Sequence, residues 1–230
     1  MFLWRKMKLK NILLTTAFIL SGAIFGGCAS HSMDIKRASQ YVFRGAQYNP
    51  NPVVQSTVAA KESVNGADVG VWGFANYDLE SKEVDQISAW GETGKETSMG
   101  YSFIGFYYTE SPLDLFPATS ELYVGAVLSL PLTPTLLGVR DMSATKGNYI
   151  EGSLEKSISL ADLTLTPKLT FAKNEGYSVE GTQEYIEGSF GINIPLTDNA
   201  ILEASMNRVH NISESVGDLD YNTFGLKLEW

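Results

Sequence analysis

Few side chains here combine the types and spacing that bond-making chemistry needs. His210, Asn211 and Ser213 offer a base, an orienting amide and a hydroxyl nucleophile within one short stretch. A nucleophile, base and orienter must be fixed by separate parts of a scaffold, which neighbours in one polar loop do not supply. The only other histidine is His31 and the single cysteine is Cys28, too few for a zinc cage or an internal disulfide. Glu110, Asp114 and Asp218 lie in polar connections and carry carboxylates for calcium, but no stretch has EF-hand spacing. The residues argue against an enzyme and require no metal or cofactor.

Another set of charges suggests a different use. Glu121, Arg140, Glu151, Glu155, Lys168, Glu187, Glu203 and Lys227 occupy polar positions of alternating stretches, and Arg44 stands among aromatics in YVFRG. Fixed charges in such a pattern can line a polar passage and select solutes by charge and size. Lys168 with Glu187, and Glu203 with Lys227, fall at similar depth counted from the neighbouring connections. Opposite charges so placed predict a cross-strand network. Glu151, Glu155 and Glu229 add surplus carboxylate, which predicts a preference for cations. Arg44 reads as a clamp onto interior carboxylates rather than as an anion site. Trp72, Trp90, Tyr107, Tyr108 and Tyr123 have rings that stack on sugars, but aromatics commonly form girdles at a membrane interface, which is the stronger expectation.

The elements that position these residues are strands. From Phe224 onward every second residue is apolar (Phe224, Leu226, Leu228, Trp230), with Gly225, Lys227 and Glu229 between. Period two means one apolar and one polar strand face. In 163–171 the leucines, Pro167 and Phe171 oppose Thr164, Thr166, Lys168 and Thr170. Similar patterns occupy 121–130 and 185–194, whereas aromatics on both faces obscure the phase before about residue 120. About twelve strands are expected, near 37–47, 53–63, 68–79, 84–94, 97–109, 120–130, 135–144, 148–159, 163–173, 183–194, 200–209 and 220–230. Their connections alternate between short, such as Asn65-Gly66, and longer and more polar, such as Glu110–Thr119. Outer-membrane barrels alternate in this way. The predicted fold is all-β, an antiparallel up-and-down transmembrane β-barrel of about 12 strands over residues 28–230, both termini periplasmic.

The first 27 residues carry Arg5, Lys6, Lys8 and Lys10 ahead of an apolar core, as a secretory signal does. Phe25-Gly26-Gly27-Cys28 reads as a lipobox, with Cys28 as the lipid-attachment residue. The whole chain has formal charge −9; without those four bases, 13 basic residues face 26 acidic ones, a net of −13. That balance excludes a basic nucleic-acid footprint. No apolar run after residue 27 is long enough for a membrane helix, so a membrane reading requires a barrel.

Ser39-Gln40-Tyr41-Val42-Phe43-Arg44-Gly45, then Pro52-Val53-Val54-Gln55 and Gly70-Val71-Trp72-Gly73, resemble the opening of the TorF-like porin family. Val84-Asp85, Trp90-Gly91, Tyr107-Tyr108, Glu121-Leu122-Tyr123-Val124-Gly125 and Tyr149-Ile150-Glu151-Gly152 follow in order. The resemblance implies an outer-membrane channel and supplies no catalytic residue. Its expected partners are outer-membrane lipid, small solutes or ions, and barrel-assembly machinery that reads the strand ending in Trp230. The rival expectation is a non-conducting structural or adhesive lipoprotein barrel.

Overall fold

Alternating polar and apolar residues leave a sheet with two unlike faces, and closing that sheet removes its open edges. The computed structural model describes residues 30–113, 115, 117–143, 145–176, 181–213 and 217–230. The signal segment, Cys28 and Asp114 fall outside them. The strands are β1 (Ser30–Ala38), β2 (Tyr41–Phe43), β3 (Ala46–Asn49), β4 (Val53–Val64), β5 (Ala67–Asp78), β6 (Val84–Thr97), β7 (Gly100–Glu110) and β8 (Thr119–Leu128). They continue as β9 (Thr135–Asp141), β10 (Asn148–Glu155), β11 (Ile158–Leu160), β12 (Leu163–Glu175), β13 (Thr182–Thr197), β14 (Ala200–Asn211) and β15 (Leu219–Glu229).

β1, β4–β10 and β12–β15 form a closed antiparallel barrel of twelve strands, each beside its predecessor. β11 resumes the line of β10 along β12, with Ile158 opposite Leu165. The seam joins first and last strands, Ser32 opposite Glu229 through Ala38 opposite Thr223. Trp230 accepts a backbone bond from His31 at 2.9 Å and returns one at 3.0 Å, and the two rings stack at 6.2 Å.

The faces are apolar outside and polar inside. Leu122, Val124, Leu136, Ile150, Phe171, Phe190, Met206 and Phe224 are exposed on the outer wall. Asn76, Ser88, Glu121, Asp141, Ser153, Thr170 and Asn174 are buried within. A soluble sandwich would hide its apolar set between sheets. A continuous exposed apolar wall around a polar interior suits hydrocarbon.

Three expectations need correction. The first barrel strand runs 30–38, not 37–47. Its signal is the alternation of Ser30, Ser32, Asp34 and Lys36 against His31, Met33 and Ile35. Residues 41–49 instead make a separate two-stranded hairpin, because Arg44 and Gly45 both have positive φ (51° and 74°) and turn the chain at YVF-RG-AQY. Such paired positive φ values define the tight hairpin turn, repeated at Asn65 (54°) and Gly66 (77°). Second, β6 continues through Thr97, so its turn is Ser98-Met99 rather than Thr93–Thr97. Third, Arg140 does not line the interior. It alternates with buried Val139 and Asp141 and lies exposed on the outer wall, one residue from the end of β9. It donates to Asn148 Oδ1 at 2.8 Å. A long cationic stem near a strand end reaches the polar boundary.

Candidate functional site: the lumen and its hairpin

The longer connections gather at one end of the barrel and the tight turns at the other. The hairpin belongs to the first long connection and folds inward from it. Its near side packs on β1, β4 and β5, with Tyr41 against Ala38 and Val53 and its ring 6.0 Å from Phe74. Its tip reaches the opposite wall. Arg44 Nη1 donates to Glu121 Oε2 on β8 at 2.9 Å, and the guanidinium lies 5.0 Å from the Tyr149 ring on β10. Gln183 of β13 donates to the Gly45 carbonyl at 3.0 Å. The hairpin thus bridges the lumen through side chains without joining the barrel sheet.

Its seat is tight and polar. Tyr149 and Tyr185 are buried with their hydroxyls 2.7 Å apart, and Tyr149 donates to Glu151 at 2.6 Å. A Cβ on Gly45 would stand 2.4 Å from Tyr185 Cε1, so both the positive φ and the ring demand glycine there. At the hairpin base, Asn49 Nδ2 donates to Asp78 at 2.9 Å and Asp85 at 2.7 Å, and Asn76 donates to Asp85 at 2.7 Å. Buried carboxylates persist only when bonded in this way.

Below the hairpin the lumen holds cavities that share lining residues. A cavity of about 610 Å³ extends between Phe43, Trp90 and Tyr107 on one side and Ser205, Asn207 and Thr223 on the other. It shares Lys36, Ser205 and Thr223 with a second cavity of about 330 Å³ beside Glu155, Lys168 and Glu203. It shares Glu92 with a third, of about 460 Å³, near the tight turns at Lys61, Asp68 and Trp72.

The charges expected inside are there except Arg140. Glu121, Glu151, Glu155, Lys168, Glu187, Glu203 and Lys227 alternate inward with the buried and half-buried sets of their strands. Their partners differ from the expected pairs. Lys168 lies opposite Ser189, diagonal to Glu187, and its ion pair is with Glu151 at 3.8 Å. Glu187 accepts from Tyr221 at 2.7 Å. Lys227 pairs with Glu229 at 2.6 Å, and Glu203 with Lys36 at 2.9 Å. Lys36 also holds Asp34 at 2.8 Å. Lys36 and Asp34 were not anticipated, because misplacing the first strand left them outside it. Among the described residues no base lies within ion-pair distance of Glu92, Glu155 or Glu187.

The aromatics also depart from expectation. Of the five singled out from the sequence, Tyr108 alone faces outward, as a girdle residue would. Trp72, Trp90, Tyr107 and Tyr123 face inward. Trp72 stacks on Trp90 (5.8 Å, 4°), Trp90 meets Tyr107 at 5.7 Å, and Tyr107 meets Phe43 of the hairpin at 6.1 Å. Tyr107 donates to Ser88 at 2.8 Å and Tyr123 to Glu92 at 3.2 Å, so their polar ends are satisfied within the wall.

His210, Asn211 and Ser213 do not converge. His210 faces outward and bonds Asp218 at 3.0 Å, which holds that carboxyl below its usual range. Asn211 is buried and its side chain accepts from Gln183 at 2.6 Å, while Ser213 Oγ accepts from the Glu184 amide. Glu110 accepts from Tyr108 at 2.8 Å.

The class that this fold and lumen define is the outer-membrane-type β-barrel with a polar interior. No protein-family model matches the chain, and no curated protein matches it. Solved structures do. The KdgM porin aligns with TM-score 0.56 and 12% identity over 86% of this chain and 98% of that one. An outer membrane channel from Pseudomonas putida F1 aligns with TM-score 0.58 and 10% identity over 90% and 97%. The NanC porin gives 0.56 and 11% over 86% and 98%.

Proposed function

We propose that this protein is an outer-membrane channel for passive diffusion of small solutes or ions, narrowed by the inward hairpin and preferring cations. The observation that carries the reading is the chain of cavities from the tight-turn end to the hairpin, walled by polar and charged side chains. Eight-stranded barrels fill their interiors and sixteen-stranded ones hold a wide aqueous channel; twelve strands lie between. The fold shared with KdgM, NanC and the Pseudomonas channel supports it. Diffusion needs no covalent step, so the protein works without catalytic residue or cofactor.

The tight turns and both termini face the periplasm, and the longer connections face outward. Residues 1–27 act as a signal, Cys28 carries lipid, and assembly machinery recognises the strand ending in Trp230. The chain is assigned to the TorF-like family on its opening motifs. Metabolic labelling with a palmitate analogue should mark the wild type and not Cys28→Ser; an unlabelled wild type removes the lipid.

The packed seat of Tyr149, Tyr185 and Gln183 around the hairpin tip favours a second reading, a sealed structural barrel. Osmotic swelling of proteoliposomes separates the two. A channel swells vesicles in small neutral solutes at rates that fall with solute size, whereas a sealed barrel leaves them at the rate of protein-free vesicles.

A further inference from the structure

The inward aromatics form a run, not scattered packing. Trp72 stands at the tight-turn cavity, and Trp90, Tyr107 and Phe43 carry the contact up to the hairpin. Phe74, Phe103 and Tyr123 line the same central cavity. Across it stand neutral polar groups, Ser205, Asn207 and Thr223, whose strands β14 and β15 lie on the far side of the closed sheet from β6 and β7. Ser205 and Thr223 bond each other at 2.8 Å, and Asn207 donates to Ser205 at 2.9 Å, so this wall both donates and accepts.

Aromatic rings opposite amide and hydroxyl groups suit a solute with one apolar face and a rim of neutral donors and acceptors. A small inorganic ion leaves most of the ring surface and the neutral wall without contacts, and a wholly apolar solute would strand the polar wall. The two bases that line this cavity, Lys36 and Arg44, are already held by Asp34 with Glu203 and by Glu121, whereas its carboxylate Glu92 has no base at ion-pair distance among the described residues, so an anionic solute meets Glu92 without a base released to balance it. A neutral sugar meets all three conditions. Its C–H face lies on an aromatic ring and its hydroxyls exchange bonds with the opposite wall. Pockets that bind small molecules are built this way, apolar and aromatic with a few placed polar groups.

We infer that the central cavity is a subsite for neutral oligosaccharides, with Trp90 as its main platform and Tyr107 and Phe43 extending it. Passage of such sugars rests on the channel reading; binding does not.

The test therefore reads binding and conduction separately. Calorimetric titration of the purified barrel, in a detergent without a sugar headgroup, should show saturable millimolar binding of maltotriose. Trigalacturonate, its anionic counterpart in size, should bind at least about tenfold more weakly. Trp90→Ala should weaken maltotriose about tenfold, within what ring contacts contribute. Trp90→Phe should restore part of it and show that the site still folds, and outward Tyr108→Ala should change nothing. No heat of binding with maltotriose, tighter binding of trigalacturonate, or equal loss in Tyr108→Ala overturns the subsite. In planar bilayers maltotriose should interrupt the wild-type current reversibly. A barrel that binds maltotriose and carries no current refutes the channel and leaves the subsite standing. A barrel that conducts but does not bind maltotriose does the reverse.

Discussion

Arg44 holds a left-handed backbone conformation at φ 51°, uncommon for a side chain with a Cβ, and its side chain is 12% exposed beside that of Glu121 at 1%. Removing one member of such a pair leaves the other charge buried, a loss of about 3–5 kcal/mol, reduced to the extent that water follows into the gap. Arg44→Ala should therefore destabilise the barrel in urea unfolding from lipid vesicles. Adding Glu121→Gln should recover part of the loss; two losses that simply add would mean the pair is not coupled. The two hairpin glycines give a second comparison. Gly45→Ala meets both an unfavourable φ and the Tyr185 ring, whereas nothing lies within 4 Å of a Cβ on Gly66. Gly66→Ala should cost about 1–2 kcal/mol from the backbone alone, and Gly45→Ala more, with the hairpin displaced. Equal costs in the same unfolding assay would contradict the seat described for the tip. At this scale the sequence was half legible. Arg44 reads as a clamp because it is the one base in an aromatic run, and Glu121 reads as an interior charge, but their pairing enters only through the fold.

For elements, legibility followed the cleanness of alternation. Strands from Thr119 onward have unmixed faces, and their inward sets match expectation apart from Arg140. The phases of β5 to β7 were unreadable because large rings stand inside and small residues such as Gly73, Ala75, Ala89 and Gly91 stand outside, so size gives no direction. The hairpin was read as strand because Tyr41, Val42 and Phe43 have strand-forming side chains; Arg44-Gly45 is the turn signal that divides it. In β15, Phe224 faces outward near mid-strand and Lys227 faces inward. Phe224→Arg should cost about 2–4 kcal/mol in refolding into vesicles. Lys227→Leu should be milder, because its pair with Glu229 is 33% and 49% exposed and such pairs contribute about 0–1 kcal/mol. Equal damage would reverse the faces. Replacing residues 40–51 by a short turn should raise single-channel conductance severalfold while the barrel keeps its heat-modifiable folded form. Unchanged conductance would mean that the hairpin is not the constriction.

As a whole, the molecule turns an apolar wall outward and a charged, ring-lined lumen inward, and composition anticipates this through abundant Phe, Tyr and Gly with an acidic balance of −13 beyond the first 27 residues. Strand number and barrel class were legible because every alternating strand and connection reports them. Whether the interior is open was not, since that depends on how the hairpin packs. In the lumen Lys36 pairs with Asp34 and Glu203, Lys168 with Glu151 and Arg44 with Glu121, Lys61 lies over the Trp72 ring at 5.3 Å near the tight turns, and Glu92, Glu155 and Glu187 keep no base at ion-pair distance among the described residues. Carboxylates along a narrow passage favour cations. The most direct measurement is single-channel recording in a planar bilayer under a salt gradient. The expected result is a small, steady conductance whose reversal potential marks the cation as the more permeant ion, shifting toward zero in Glu187→Gln with Glu203→Gln. A reversal potential of the opposite sign, or a folded barrel that passes no current, would contradict the account.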